Sequence, residues 1–491
     1  MNTDTNRDAK WREELRSALS AKERTSIPRA VIPQLDPKFR VHSNHEVNQG
    51  LSQAQAVLEA TRCLDCPDPQ CIQGCPVSIA IPSFIKNIER GEILTAAKVL
   101  KQTSALPAVC GRVCPQEKQC ESRCIYNKMK KPPVAIGYLE RFAADFEREN
   151  IKANNIELRP SAVEKNGMNI AVVGSGPAGL SFAGDMIKKG YNVTVYEALH
   201  EIGGVLKYGI PEFRLPNVVV EAEIDGLRAE GVNFVKDCVI GKTISYDQLH
   251  QLGYDGIFVA SGAGLPRFMG IPGENFIGIM SANEYLTRIN LMGAGRPGED
   301  TPVLKGNRVA VIGGGNTAMD SVRTALRQGS KTAMIVYRRS LEEMPARVEE
   351  VHHAQEEGVE FMTLCNPIEY LADEKGRVRA MKVQRMELGE PDASGRRSPV
   401  PIEGAIEEIE VDLVIVSVGV SPNPLIPNAI PELEISRRGT IVVNEESMRS
   451  SIYDIYAGGD IVRGGATVIL AMGDGRRAAA AMDKELMKQE K

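Results

Sequence analysis

Eight of the ten cysteines in this sequence fall between Cys63 and Cys124. They form two runs, Cys63-x2-Cys66-x4-Cys71-x3-Cys75 and Cys110-x3-Cys114-x5-Cys120-x3-Cys124, with Pro76 and Pro115 directly after Cys75 and Cys114. Thiols grouped this tightly, in a chain whose charged first residues make a secretory leader unexpected, point to metal or redox chemistry rather than to disulfide staples. Two glycine stretches offer a second kind of chemistry. Gly174-Ser175-Gly176-Pro177-Ala178-Gly179 and Gly313-Gly314-Gly315-Asn316-Thr317-Ala318 each follow a short apolar run and open a helical pattern. Such a turn lets backbone N–H groups and a helix N-terminus receive a pyrophosphate. Glu197 lies 23 positions after Gly174, at the end of the next apolar run, where a carboxylate can bond ribose hydroxyls. The second stretch has cations at the equivalent place, Tyr337-Arg338-Arg339-Ser340. Arginines there can pair with a 2′-phosphate, so the expected ligand is NADP(H) rather than NAD(H). A glycine turn without ligand and a solvated arginine pair are the plain alternatives, and their positions argue against both.

The thiolates could hold two zinc ions. Zinc motifs usually pair two C-x2-C knuckles, and only Cys63-x2-Cys66 has that spacing. Runs ending in Cys-Pro look instead like bacterial ferredoxin, where the last cysteine of a run crosses to the other cluster. Two [4Fe-4S] clusters are the expectation, one on Cys63, Cys66, Cys71 and Cys124. The other would take Cys75, Cys114, Cys120 and a fourth ligand, which by chemistry alone is Cys110.

The elements that must position these residues can be read in outline. Residues 1–55 are polar and proline-punctuated, an arm without strong period. Helices are expected over 52–62, 81–102 and 136–148, then a charged linker over 149–165. Ile202 to Pro216 contains Gly203 and Gly204, suited to close approach of a ligand, and Arg214, which could meet a phosphate; a purely structural loop is an equal reading. Runs at 255–263 and 412–419 read as buried strands ending in small residues. Last comes Ala457-Gly458-Gly459-Asp460-Ile461, followed by a helical stretch over 466–482. Asp460 can bond the ribitol of a flavin, and the helix start can stabilise negative charge on the reduced ring. The last piece would complete the first nucleotide domain around an inserted second one, which is why the first site is expected to bind FAD. The fold class is therefore α/β, a helical iron–sulfur domain (1–165) followed by two Rossmann-like domains. FAD parts are expected at 166–290 and 431–491, with the NADPH domain at 291–430.

Composition excludes several classes. Net charge is −5 and the pI about 5.9, against a nucleic-acid footprint. No apolar run reaches membrane-spanning length, and the first residues are charged, so a cytoplasmic protein is expected. A thioredoxin-reductase-like activity would need a redox C-x-x-C near the second nucleotide site, where only the isolated Cys238 and Cys365 occur. A non-catalytic scaffold binding nucleotide and zinc is the binding-module alternative.

On the paired cysteine runs, Val172–Gly179, Gly313–Asp320 with Tyr337-Arg338-Arg339, and Ala457–Asp460, the chain from about 62 to 477 resembles the small (beta) subunit of NADPH-dependent glutamate synthase. It is also similar to the large subunit of ferredoxin-dependent NADH:NADP transhydrogenase and to the N-terminal half of dihydropyrimidine dehydrogenase. The resemblance implies that the fourth ligand of the second cluster is Glu140, sixteen positions after Cys124, rather than Cys110. It implies that Leu206 and Arg214 touch FAD. It further implies an NADPH oxidoreductase whose electrons pass through FAD and the clusters to a partner, the glutamate synthase large (alpha) subunit. The alternative is the large subunit of an electron-bifurcating NADH-dependent ferredoxin:NADP oxidoreductase, partnered by a small flavoprotein subunit. Asn2, not cysteine, follows Met1, and the assigned domains leave no room for an amidotransferase, so glutamate synthesis by this chain alone is not expected. Hydride transfer needs no acid–base residue, and none is assigned as catalytic.

Overall fold

The computed structural model describes residues 4–158, 163–393 and 395–489. The longer helices of the cysteine-bearing region are Gln53–Thr61, Ile81–Glu89, Ile93–Lys101, Pro107–Val113 and Ile136–Ala153. Local sequence explains their starts. Ser52 and Gln55 form a capping box, with Gln55 N–H donating to Ser52 Oγ at 3.3 Å. Proline occupies the first turn of Ile81–Glu89 and of Pro107–Val113, where no N–H is needed. The helix Ile136–Ala153 buries Ile136 through Ala144 and runs five residues beyond the expected end at 148, into the expected linker. Residues 159–162 of that linker lie outside the described residues.

Two five-stranded parallel sheets follow. The first has the order Ile455–Ala457, Gly256–Val259, Asn169–Val173, Asn192–Tyr196, Asn233–Val235. Its edge strand comes from the far end of the chain, so the C-terminal segment completes the first nucleotide unit. The second has the order Ile279–Ser281, Leu413–Val416, Arg308–Ile312, Thr332–Tyr337, Glu360–Thr363. Its central strands are continuous apolar runs because helices or another sheet cover both faces. A separate antiparallel sheet of Cys365–Ala372, Val378–Pro391 and Arg397–Glu410 packs against it. The two units are linked by a short antiparallel ribbon, Leu265–Pro266 against Val420–Ser421.

Two strips fall on the other side of the boundaries expected at 291 and 431. Ile279–Ser281 is a strand of the second sheet, and Tyr285 and Leu286 bury in its core. Ile426 and Ile430 bury against the first sheet. Neither strip carries a motif, so only the pairing reveals its side. One continuous core joins the helical region to the first unit, running from Phe84 and Val109 to Phe182 and Met472.

The N-terminal arm is not featureless. Lys10–Ala18 and Ala21–Ser26 are helices. Their inward side chains are arginines, Arg12 and Arg24, each 3% exposed. Arg24 pairs with Glu89 at 2.7 Å. An apolar period cannot report a helix that docks by buried ion pairs.

Candidate nucleotide and iron–sulfur sites

At the first glycine turn, each glycine is needed for a different reason. Gly174 leaves the strand at φ +103°, and a Cβ there would stand 2.5 Å from the Ala260 carbonyl oxygen. A Cβ on Gly179 would collide with the carbonyl of Gly174. Gly176 is the N-cap of the helix Pro177–Ile187, and a Cβ on it would meet no protein atom within 4 Å. Two glycines therefore serve chain-on-chain closeness, and the middle one leaves open space in front of a helix N-terminus. Pro177 and Ala178 form the buried first turn. Glu197 is 7% exposed and is held by the turn itself. It accepts from Ser175 N–H at 3.0 Å, from Ser175 Oγ, and from Leu199 N–H at 2.9 Å.

The loop after Glu197 closes over this turn. Gly203 N–H donates to Ser175 Oγ at 2.9 Å. Gly204 has φ +55°, and its Cβ would lie 3.0 Å from Gly176 Cα. Leu206 is fully buried in the core beneath. The C-terminal motif arrives beside the same helix, since a Cβ on Gly459 (φ +77°) would come within 3.0 Å of Ala178 Cβ. Burial pushes the Asp460 carboxyl up to about 6. Asp474, which the sequence reading missed, holds this corner. Fully buried, it accepts from Gly459 N–H at 3.0 Å, Arg463 Nε at 2.7 Å and Arg477 Nη2 at 2.5 Å. Its signal was weak, a lone acid in an alanine-rich helix.

The second turn repeats the logic with a substitution. A Cβ on Gly313 (φ +141°) would collide with the Ser417 carbonyl, and one on Gly315 would meet nothing within 4 Å. Ala318, fully buried, stands where the third glycine was. Asn316 and Thr317 open the helix Asn316–Arg327, and Asn316 Oδ1 accepts from Arg347 N–H at 2.8 Å. The two arginines after the second strand separate. Arg338 is exposed, with no side-chain partner among the described residues. Arg339 is buried and committed elsewhere, to the Arg397 carbonyl at 2.8 Å and Asp392 at 2.6 Å. Arg214 is likewise committed. Its Nη1 donates to both carboxylate oxygens of Asp320, at 2.8 and 2.6 Å, on the helix of the second turn. It joins the two nucleotide units instead of facing open space at the first.

The cysteines sort into two neighbourhoods. Burial raises the Cys71 thiol, and Cys63, Cys124 and Cys66 raise it further. Burial also raises Cys120, reinforced by Glu121, Glu140, Cys75 and Cys114. Cys75 is pushed up to about 11 by burial, with Glu140 and Cys114 adding to it. Thus Cys63, Cys66, Cys71 and Cys124 form one group, and Cys75, Cys114, Cys120 and Glu140 the other, with Cys110 beside Cys114, Glu140 and Cys75 in that second group. Among the described residues, no three His, Cys, Asp or Glu side chains converge as a single metal ion would require. Four thiolates around a cubane stand further apart than four around one zinc, with its Zn–S bonds of about 2.3 Å.

Glu140 is 6% exposed, and its Oε1 has no hydrogen-bond partner. Burial, with the neighbouring Glu223, pushes its carboxyl up to about 8. An orphaned carboxylate oxygen among thiols fits a metal cluster as its missing partner. Cys110 has a further neighbour. It lies on the helix Pro107–Val113, fully buried, with Sγ 3.4 Å from Met472 Sδ of the first nucleotide unit.

Residues 40–152 match the family described as "Dihydroprymidine dehydrogenase domain II, 4Fe-4S cluster". Residues 168–475 match "Pyridine nucleotide-disulphide oxidoreductase". The chain is 37% identical over 455 residues to the Glutamate synthase [NADPH] small chain of Escherichia coli (strain K12), covering 91% of this chain and 95% of that protein. It is 37% identical over 435 residues to the NADP(+)-dependent formate dehydrogenase subunit beta of Moorella thermoacetica, covering 85% of this chain and 60% of that one. Among solved structures it is similar to Mycobacterium tuberculosis FprA in complex with NADPH, with TM-score 0.56 and 22% identity, over 66% of this chain and 85% of that one. That likeness concerns the fold of the two nucleotide units.

Proposed function

The chain belongs to the family of NADPH-dependent glutamate synthase small chains and is an NADPH oxidoreductase, and on that premise we propose which groups it holds and where its electrons go. FAD lies along Gly174, Gly176, Pro177, Ala178, Gly179, Glu197, Gly204, Leu206, Gly459 and Asp460. NADP(H) lies along Gly313, Gly315, Asn316, Thr317 and Ala318, with Arg338 at the 2′-phosphate. One [4Fe-4S] cluster takes Cys63, Cys66, Cys71 and Cys124, and the other Cys75, Cys114, Cys120 and Glu140. The second nucleotide unit spans the chain between the two strands of the linking ribbon. When bound, these groups supply a hydride acceptor and one-electron carriers.

The observation that carries the reading is the seam between the second cysteine group and the first nucleotide unit. Cys110 touches Met472 across it. A Cβ on Gly473 would stand 3.0 Å from the carbonyl of Pro76, next to Cys75. The second group is thus pressed against the FAD-type unit without an intervening layer. Cys75 and Cys114 are buried there, with Cys120 partly exposed, whereas all four cysteines of the first group are partly exposed. The protein's part is to bind and orient, to keep water from the inner group, and to leave the outer one within reach of a partner. That partner is the large subunit of a glutamate synthase.

The test is anaerobic purification, with iron and flavin counted per chain and NADPH-driven reduction of an artificial acceptor measured. About eight irons and one FAD are expected. Zinc in place of iron sinks the cofactor assignment. Adding a glutamate synthase large subunit with glutamine and 2-oxoglutarate should then yield glutamate at the expense of NADPH. A chain active with the artificial acceptor but unable to feed that subunit refutes the partner alone.

A further inference from the structure

We propose that the N-terminal arm is a positioning device for the first cysteine group, in which Arg12 and Arg16 lock the Cys63–Cys66 loop through Asp65. This rests on the assignment of Cys63, Cys66, Cys71 and Cys124 to one cluster.

Asp65 is the hinge of that loop. It is fully buried and has φ +51°, the left-handed region that residues other than glycine seldom occupy. Its carboxylate is gripped from two sides. Arg12 Nε and Nη2 donate to Oδ2 and Oδ1 at 2.9 and 2.5 Å, a bidentate pair. Arg16 Nη1 donates to Oδ2 at 2.7 Å. Arg7 Nε donates to the Asp65 carbonyl at 3.2 Å. The arm is itself pinned, since Arg12 Nη1 reaches Ser83 Oγ at 2.9 Å on the helix Ile81–Glu89. The same helix supplies Lys86, whose Nζ donates to the Cys63 carbonyl at 2.6 Å.

Two consequences follow from ordinary cluster chemistry. Nearby positive charge favours the reduced, more negative cluster and raises its potential. Arg12, Arg16 and Lys86 against Asp65 and Glu89 leave a cationic excess beside this group. A locked loop also holds two ligands in place, which slows loss of iron. Arg12 and Arg16 act through Asp65 and are positioning residues.

The experiment uses the full-length chain, purified anaerobically with its clusters. Arg16→Gln is the primary variant, because Arg16 is only part-buried and its loss leaves Arg12 to hold the fold. Arg12→Gln is the stronger one. Midpoint potentials of the two cluster signals are read by EPR-monitored titration, and iron transfer to a chelator is timed. One signal is expected to move to more negative potential in each variant while the other stays. Iron release from that cluster is expected to quicken roughly tenfold to a hundredfold. Arg16→Lys should restore most of the potential shift. Lys10→Gln, an exposed change on the same helix, should alter neither reading. Unchanged potential and release in both glutamine variants, or an equal shift of both signals, overturns the proposal. If the unmodified chain holds only one cluster, the ligand assignment fails first, and that is seen before any variant is made.

Discussion

Glu140 and Cys110 both lie near Cys75, yet one has an oxygen without a partner and the other a sulfur packed on Met472. Replacing Cys110 by serine removes a contact across the seam and should leave iron content unchanged. Replacing Glu140 by alanine should perturb one EPR signal and spare the other. Loss of iron in Cys110→Ser with a silent Glu140→Ala would reverse the assignment. The arginine pair behaves in the same divided way. Arg338→Ala should raise KM for NADPH roughly tenfold to a hundredfold, the value of one charged hydrogen bond of about 1.5–3 kcal/mol, with NADH little affected. Arg339→Ala should affect both coenzymes alike and lower thermal stability, because its guanidinium ties the strand end to Asp392 and Arg397. A selective NADPH defect in Arg339→Ala and none in Arg338→Ala would be evidence against this division.

The helix Pro107–Val113 depends on a cap from another domain. Its N-cap residue, Leu106, offers no side-chain acceptor. Glu223, from the helix Asn217–Glu230 of the first nucleotide unit, accepts from Ala108 N–H at 2.7 Å. Burial pushes this carboxyl up to about 7, despite the lowering effects of Lys101 and the Ala108 N–H. The folded chain thus holds the proton more tightly than the unfolded chain. Its contribution favours folding below the unfolded value near 4.5 and is lost as pH rises from there through about 7. The loss is roughly 3 kcal/mol. Thermal melts across this window should show a falling contribution in the unmodified chain. The slope should flatten in Glu223→Gln, whose amide oxygen still caps the helix. Parallel profiles for the two proteins would show that Glu223 does not titrate in the fold.

At the scale of the whole molecule, one ionic junction ties three units. Arg40 of the N-terminal arm bonds Glu356 and Glu357 at 2.6 and 2.9 Å. Arg323, fully buried, lies between Glu350 and Glu357. Arg214 brings in the first nucleotide unit through Asp320. Arg347 reaches the Arg112 carbonyl and Gln116 Oε1 of the helical region at 2.6 and 2.7 Å. Glu350 is held down to about 2, its burial outweighed by Arg323 and Arg214. Glu357 is also held well below the usual range by Arg323 and Arg327. For such depressed carboxylates the stabilisation is present above the unfolded value near 4.5 and lost as pH falls through the folded one. Acid should therefore loosen the second nucleotide unit. Glu357→Gln leaves Arg40, Arg323 and Arg327 facing a neutral group, at a cost of about 3–5 kcal/mol. Calorimetry should show a lowered transition with iron and FAD retained, and an unchanged melt would refute the junction's role.

What the sequence by itself determined is local. A glycine turn after a strand and a helix behind it are set by backbone sterics over a few residues, so both nucleotide motifs, the cysteine runs and the closing Gly459-Asp460 motif were legible without coordinates. The burial of Glu140 was not legible, since a glutamate on an amphipathic helix reads as surface. Long-range pairing decided the rest. Arg214 finds Asp320 across 106 residues, Glu223 caps Ala108 across 115, and Arg12 meets Asp65 across 53. Charged side chains carry no period that marks them as buried, and any of several opposite charges could serve each one. The fold selects the partner by which elements it packs together, and with it the division of the arginine pair, the true edges of the second sheet and the grip of the arm on the first cysteine group.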